Sequence, residues 1–132
     1  MANKKVSVDG LADAIAKELK VYGSDVIEGI RKQTDKSMRQ LVQETKATAP
    51  VGHRKKHYRD SITSRVLNAS SFAYAKLWYV RGSDYRLSHL LNNGHQLRDG
   101  GRYEGTQFIT KASISVIKDY EEAIKEVLKG GR

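Results

Sequence analysis

The sequence contains no cysteine among its 132 residues. This absence excludes disulfide scaffolds, thiolate nucleophiles, cysteine-ligated zinc sites and iron–sulfur clusters. Proline is almost as scarce, since Pro50 is the single one, and a proline-rich linker is therefore excluded. Hydrophobic residues make up only 39% of the chain, which predicts a small core and a large surface.

Long uncharged runs are missing as well. A typical one in the middle of the chain, residues 66–75, is far too short to span a bilayer, and no apolar signal core follows Lys4 and Lys5. We therefore expect a protein that is made in the cytoplasm. The length predicts one domain over residues 1–132, with a flexible N-terminus (1–8), a mobile basic loop (48–60) and a second loop (95–107).

Charge of one sign is concentrated in the middle of the chain. The net charge is +9, and residues 48–107 contribute +6 of it, from 10 basic and 4 acidic side chains. Residues 1–47 and 108–132 contribute only +2 and +1. A local basic excess favours an anionic partner, either nucleic acid or an acidic protein surface. Solubility alone is the alternative explanation.

Hydrophobic periodicity predicts helices at both ends of the chain. A first helix begins at Asp9 and stops at Gly23, and a second runs from Ser24 towards Pro50, long enough that one end projects or packs on a neighbour. A C-terminal helix begins near Phe108, carries Val116 and Ile117 on its core-facing side, and ends at Gly130-Gly131.

Between the helices, β-branched and aromatic residues predict a β-hairpin that pairs 62–67 with 73–80. A short helix or strand follows over 85–92, and then a loop or irregular hairpin over 96–107. The fold class is α+β: two N-terminal helices, a small antiparallel sheet built on the hairpin, and a C-terminal helix packed on the sheet. Both faces of the second strand carry apolar side chains, so one face is left for a neighbour. Its candidate interface residues are Tyr74, Trp78 and Tyr79.

Residues capable of chemistry are few. His53 and His57 have a spacing that would suit a metal on a helix, but the neighbouring cations disfavour one. His89 and His95 have no third ligand near them in the sequence. The segment 99–102 lacks the pattern of a phosphate-binding loop and is a turn. We therefore expect neither an enzyme nor a metal or cofactor site.

A dense basic cluster follows Pro50 and is the strongest physical feature. Its members are candidates to face a partner or a DNA channel: His53, Arg54, Lys55, Lys56, His57, Tyr58 and Arg59. Like charges repel, so we expect this loop to order only against phosphates or an acidic surface. Tyr58 is available to stack on a base, although packing is the more common role of a lone tyrosine.

Three short segments resemble one known family. Ala49-Pro50-Val51 with Tyr58-Arg59-Asp60-Ser61-Ile62, then 85–94 ending in Gly94, then Gln107-Phe108-Ile109-Thr110-Lys111-Ala112 occur in the family's order over roughly residues 10–129. They are similar to segments of the gene-product-ten-like minor structural proteins of long-tailed phages, the tail-completion or head–tail joining proteins. The motif positions are Pro50, Ser61, Ile62, Gly94, Phe108 and Ala112. Asn92, Asn93 and Gln107 depart from the family's usual residues.

The resemblance implies a small structural subunit of the virion, in the tail or neck. Related proteins form a hexameric ring that caps the tail tube and docks on the head connector, around the channel that the genome crosses. The implied partners are other copies of the chain, the connector, and tail-tube or tail-terminator proteins, with non-specific contact to genome DNA and none to a membrane. The rival hypothesis is a stand-alone basic nucleic-acid-binding protein of a prophage. A toxin or nuclease is disfavoured because no acidic cluster for Mg²⁺ is present.

Overall fold

The longest element is a helix, α1 (Val8–Thr48), in a computed structural model that describes residues 8–52, 57–70 and 73–130. Its 41 residues correspond to about 62 Å at a rise of 1.5 Å per residue. The prediction of two N-terminal helices is therefore wrong, because α1 continues through Gly23. A glycine within a helix costs only about 1 kcal/mol relative to alanine, so packing elsewhere along α1 outweighs it. As predicted, the helix ends just before Pro50.

The predicted hairpin is confirmed. Strands β1 (Ile62–Ala69) and β2 (Tyr74–Val80) pair antiparallel, from Ile62 opposite Val80 to Ala69 opposite Tyr74. A bulge interrupts the register between Val66 and Asn68, and the backbone N–H of Ser70 donates to the carbonyl of Ala73 at 2.9 Å, which closes the turn.

Short elements connect the hairpin to the rest of the chain. A 3₁₀ helix (Tyr58–Ser61) leads into β1. A second 3₁₀ helix (Gly82–Leu87) follows β2 and continues into α2 (Ser88–Asn93). The predicted loop or irregular hairpin contains two short antiparallel strands, β3 (His95–Gln96) and β4 (Arg102–Tyr103). The described residues thus combine helices with two small antiparallel sheets, which is the predicted α+β class.

The C-terminal helix, α3 (Phe108–Leu128), packs antiparallel on α1, whereas the sequence predicted that it packs on the sheet. Only its start meets the hairpin among the core residues, where Phe108 joins Ile62 and Val80. The Thr34 and Tyr120 hydroxyls lie 2.8 Å apart, and further along the Tyr22 hydroxyl donates to the Leu128 carbonyl at 2.6 Å. Between them, a Cβ on Gly29 would come within 2.8 Å of the Val127 side chain. The absence of that Cβ allows the two helices to approach closely. Most of α3 therefore packs on α1 and not on the small hairpin.

The apolar core lies at one end of the molecule, where α1 ends and α3 begins. Its buried members come from four elements and the residue that follows α1: Ala49, Tyr58, Ile62, Val80 and Phe108. Trp78 and Leu91 pack against them. Ile117 was expected to face the core, but it is 56% exposed, because Ala112, Val116 and Val127 form the face of α3 that α1 covers.

Candidate assembly surface

The inner face of the hairpin lies against α1, and it contains two of the three predicted interface residues. The Tyr74 hydroxyl donates to Asp35 Oδ1 at 2.6 Å. Trp78 Nε1 donates to Thr45 Oγ1 at 3.0 Å. Tyr74 and Trp78 are therefore half-buried against α1, and their assignment as interface candidates stays a prediction. The alternation of side chains along a strand places them on one face together.

Asp35 is the electrostatic centre of this inner face. Its carboxylate accepts the Tyr74 hydrogen bond and lies 3.2 Å from Lys76 Nζ. The hydrogen bond from Tyr74 is the main reason that the pKa of Asp35 is below its usual range, and Lys76 lowers it further. The same hydrogen bond raises the pKa of Tyr74. The Arg31 guanidinium, 5.3 Å from the centroid of the Tyr74 ring, completes the group.

The outer face of the hairpin carries the third predicted interface residue. Tyr79 and Leu77 alternate with the inner residues and are half-buried. The guanidinium of Arg65, which is opposite Leu77, lies 5.4 Å from the centroid of the Tyr79 ring. Beside the bulge, Leu67 is 60% exposed. We call Arg65, Leu67, Leu77 and Tyr79 the outer hairpin surface. The sequence analysis missed Leu67 because a bulge leaves no pattern of its own in the sequence.

Of the basic cluster, three residues are described and four, His53 to Lys56, lie outside the described residues. Tyr58 is only 3% exposed: its ring packs edge-to-face on Phe108, and its hydroxyl lies 2.6 Å from Ser88 Oγ. Burial raises the pKa of the Tyr58 hydroxyl. Tyr58 is thus a core residue, unable to stack on a base in this conformation. His57 is half-buried, and Arg59 is exposed to solvent.

The family-motif positions fall mainly on buried or conformationally special sites. Ser61, Ile62, Phe108 and Ala112 are all buried. Gly94 has a φ of 88°, and a Cβ there would come within 2.3 Å of the Tyr103 carbonyl. These positions are explained by packing and backbone geometry, and none of them is an exposed binding residue. Pro50 is half-buried and lies just beyond the end of α1.

Asn92 joins two of the motif segments. Its side-chain Oδ1 accepts hydrogen bonds from the backbone N–H groups of Ile109 (2.9 Å) and Thr110 (3.2 Å), which are at the start of α3. Its Nδ2 donates to Thr110 Oγ1 at 2.9 Å. Gln107, which precedes the helix, is in the left-handed region with φ 57° and provides no side-chain cap. Asn92 therefore caps α3 from another helix. Sequence analysis missed this because capping signals are read only locally.

A cleft of about 300 Å³ lies beside the core. It is lined by the segment after α1, two histidines and apolar or aromatic side chains: Pro50, Val51, Gly52, His57, Tyr58, Leu87, Leu91, His95 and Tyr103. The Nδ1 atoms of His57 and His95 are buried there without a hydrogen-bond partner among the described residues. The two histidines are far apart in the sequence, so no local pattern could have paired them.

Metal and membrane sites were also sought. Within residues 8–52, 57–70 and 73–130, no group of three histidine or carboxylate side chains is arranged to hold a metal ion. In the same part of the chain, no helix combines the length and the apolar character needed to cross a membrane.

Comparison of the chain with models of protein families, with curated proteins and with solved structures finds no match.

Proposed function

We propose that the protein is a structural subunit of a phage head–tail junction, of the tail-completion or head–tail joining kind. In this role it forms a ring on the end of the tail and docks on the head connector. Its action is assembly and not catalysis.

The observation that carries the proposal is that the three resembling segments pack together at one end of the molecule. Tyr58 of the first segment contacts Phe108 of the third. Asn92 of the second caps the helix that the third begins. Segments that are distant in sequence but form one packed unit are what a shared fold requires.

The outer hairpin surface supports a docking role. A two-stranded sheet covered by α1 on one side leaves its other side to solvent, and Leu67 and Tyr79 give that side an apolar character with Arg65 across it. Apolar side chains with a cationic neighbour are typical of protein interfaces. Arg59, at the start of the same hairpin, extends the positive charge.

An assembly assay tests the proposal directly. We expect Tyr79→Glu to block joining of purified heads to tails without unfolding the subunit, because a carboxylate would be desolvated in the docked state. Tyr85→Glu is the matched control, since Tyr85 is an exposed tyrosine (57%) outside the hairpin. Normal joining with Tyr79→Glu, together with failure of the triple charge reversal of Arg54, Lys55 and Lys56, would move the docking surface to the basic loop.

The alternative function, a nucleic-acid-binding protein of a prophage, is favoured by the central excess of positive charge. It predicts that the isolated chain binds plasmid DNA with an affinity that falls steeply with salt. Salt-dependent DNA affinity without any activity in head–tail joining would favour this alternative over the proposed function.

A further inference from the structure

The N-terminal part of α1 carries an apolar stripe that lies mostly beyond the end of α3. Leu11, Ile15, Leu19 and Tyr22 recur at helical spacing, and we call them the α1 seam. Leu11, Ile15 and Leu19 are 50%, 51% and 64% exposed. The hydrogen bond from Tyr22 to the Leu128 carbonyl marks the point where α3 ends. The 14 residues of α1 that precede Tyr22 therefore extend about 21 Å beyond their intramolecular partner.

The α1 seam continues a face that already binds a helix. Further along the same side of α1, Gly29 lies against Val127, and Thr34 meets Tyr120. Within the molecule, that face is occupied by α3. A helix face that stays apolar beyond the end of its partner helix is suited to bind a second amphipathic helix.

Helix α3 offers such a surface beside the face that α1 covers. Ile114, Ile117, Ile124 and Leu128 follow one another at intervals of three, seven and four residues, which keeps them on one face, and we call them the α3 seam. Ile114 and Ile117 are 66% and 56% exposed. Glu121 occupies the position that the repeat leaves between Ile117 and Ile124. Helix α3 is therefore apolar on two faces, and among the described residues α1 covers one of them.

Charge decides which surfaces can pair. Lys111, Lys118 and Lys125 recur every seven residues along one edge of the α3 seam, and three lysines outweigh Glu121. On α1, Glu18 lies at the edge of the α1 seam, one turn before Tyr22. If the α1 seam paired with itself, it would bring two Glu18 carboxylates into one contact. If the α3 seam paired with itself, it would oppose two lysine rows. Pairing of unlike seams instead sets the Glu18 carboxylate against a surface that carries a net positive charge.

We propose that the α1 seam of one copy docks on the α3 seam of a second copy of this chain, with Glu18 facing the lysine row. Because the two surfaces differ, the contact is head-to-tail, and each copy keeps one free seam of each kind. Such a contact repeats until it closes into a ring or extends as a filament. The inference does not rest on the phage assignment, since it concerns self-association of the isolated chain.

Complementing variants test the contact by sedimentation velocity on the full chain. Ile15→Glu disables only the α1 seam, and Ile117→Glu disables only the α3 seam. We expect wild-type mass to rise with concentration, and each variant to need more than about tenfold higher concentration for the same association, a change of 1.4 kcal/mol. An equimolar mixture of the two variants should form a pair of chains in 1:1 ratio, because one intact seam of each kind remains. Tyr85→Glu, at a comparably exposed site outside both seams and outside the hairpin, should associate like wild type.

Three results would overturn the proposal. One is a wild-type chain that remains monomeric at all accessible concentrations. Another is loss of association in Ile15→Glu alone, which would mean that the α1 seam pairs with itself. The third is loss of association in Leu67→Glu, which would place the contact on the hairpin. Circular dichroism of each variant checks that the fold is retained. A chain that associates through its seams but fails in head–tail joining would contradict the proposed function and leave this inference standing.

A charge exchange tests the register independently. Glu18→Lys and Lys118→Glu should each weaken association, and the double variant should restore it, since the pair is exchanged and not removed. If the double variant associates no better than either single variant, the assignment of Glu18 to the lysine row is wrong. Salt should weaken wild-type association only in part, because the apolar contacts of the seams are not screened.

Discussion

The two halves of α1 are both amphipathic, yet they differ in which residues are buried. In the C-terminal half, Ser37 and Thr45 are buried, although both are polar. In the N-terminal half, Leu11 and Leu19 are half or more exposed, although both are apolar. Burial along this helix therefore follows what lies across from a residue and not its hydrophobicity. The hairpin and α3 together cover the C-terminal half, and α3 ends before it can cover the other.

Thr45 shows how the covered half tolerates a polar core position. Its hydroxyl donates to the carbonyl of Leu41 at 2.8 Å and accepts from Trp78 Nε1 at 3.0 Å. A buried polar group whose hydrogen bonds are satisfied has little remaining desolvation cost. The same pair of bonds attaches the hairpin to α1 in one orientation. The covered half is thus held by specific contacts, whereas in the uncovered half Leu11 and Leu19 are half or more exposed among the described residues.

The largest contrast should come from truncating one side chain in the core and one on the uncovered half of α1. Phe108→Ala removes a buried aromatic ring from the core, and we expect a loss of about 3–5 kcal/mol in the free energy of unfolding. Ile15→Ala, on the exposed stripe, should change it by less than about 0.5 kcal/mol at a concentration where the chain is monomeric. Urea denaturation followed by circular dichroism measures both. Equal losses would mean that the N-terminal half of α1 is covered within the monomer.

A second prediction concerns a backbone contact that stabilises the covered end. A Cβ on Gly105 would come within 2.4 Å of the Gly94 nitrogen and 2.5 Å of the Asn92 carbonyl. These are backbone atoms and cannot move aside as a side chain could. We expect Gly105→Ala to destabilise the fold by about 1–3 kcal/mol, as overpacking does.

Gly52→Ala is the matched control, since none of the described residues lies within 4 Å of its Cβ position. Thermal unfolding of the two variants gives the comparison. A Gly105→Ala protein with the melting temperature of Gly52→Ala would show that β4 and α2 separate easily.

The elements around the core also show which features the sequence predicts and which it does not. Hydrophobic periodicity and helix-breaking residues are local signals in the sequence. The hairpin, the end of α1 before Pro50 and the start of α3 at Phe108 were therefore all predictable. The faces of β2 were not, because apolar residues occupy both parities, and only the hydrogen bonds to Asp35 and Thr45 show that Tyr74 and Trp78 face inward. Ile117 was misassigned for the same reason, since α3 has two apolar faces.

Asn92 is the clearest case of information that the local sequence does not contain. Its amide caps a helix that begins 16 residues later in the chain, at Phe108. We expect Asn92→Ala to cost about 1–2 kcal/mol, because two N–H groups at the start of α3 lose their acceptor. Asn92→Asp keeps an acceptor oxygen and places a negative charge at a helix N-terminus, so it should retain most of the stability.

Chemical denaturation of the two Asn92 variants separates the role of the cap from that of side-chain volume. If Asn92→Asp is as unstable as Asn92→Ala, the donor bond from Nδ2 to Thr110, and not the cap, is the important contact.

The smallest expected effect is a pH dependence at the junction of the hairpin with α1. The hydrogen bond from Tyr74 and the charge of Lys76 hold the pKa of Asp35 below its ordinary value of 3.8. A carboxyl group whose pKa is lower in the folded than in the unfolded chain stabilises the fold above pH 3.8, and this contribution is lost as the pH falls through the lower, folded pKa.

The unfolding midpoint in urea should therefore fall more on acidification for wild type than for Asp35→Asn, which has no carboxyl group at that position to titrate. Asp13→Asn, an equal change of charge on the uncovered half of α1, should fall like wild type, because Asp13 does not contact the hairpin. Tyr74→Phe should behave like a weaker version of Asp35→Asn, since Lys76 still attracts the carboxylate after the hydroxyl is removed. If wild type and Asp35→Asn respond identically to acid, the contacts of Asp35 with Tyr74 and Lys76 do not stabilise the fold.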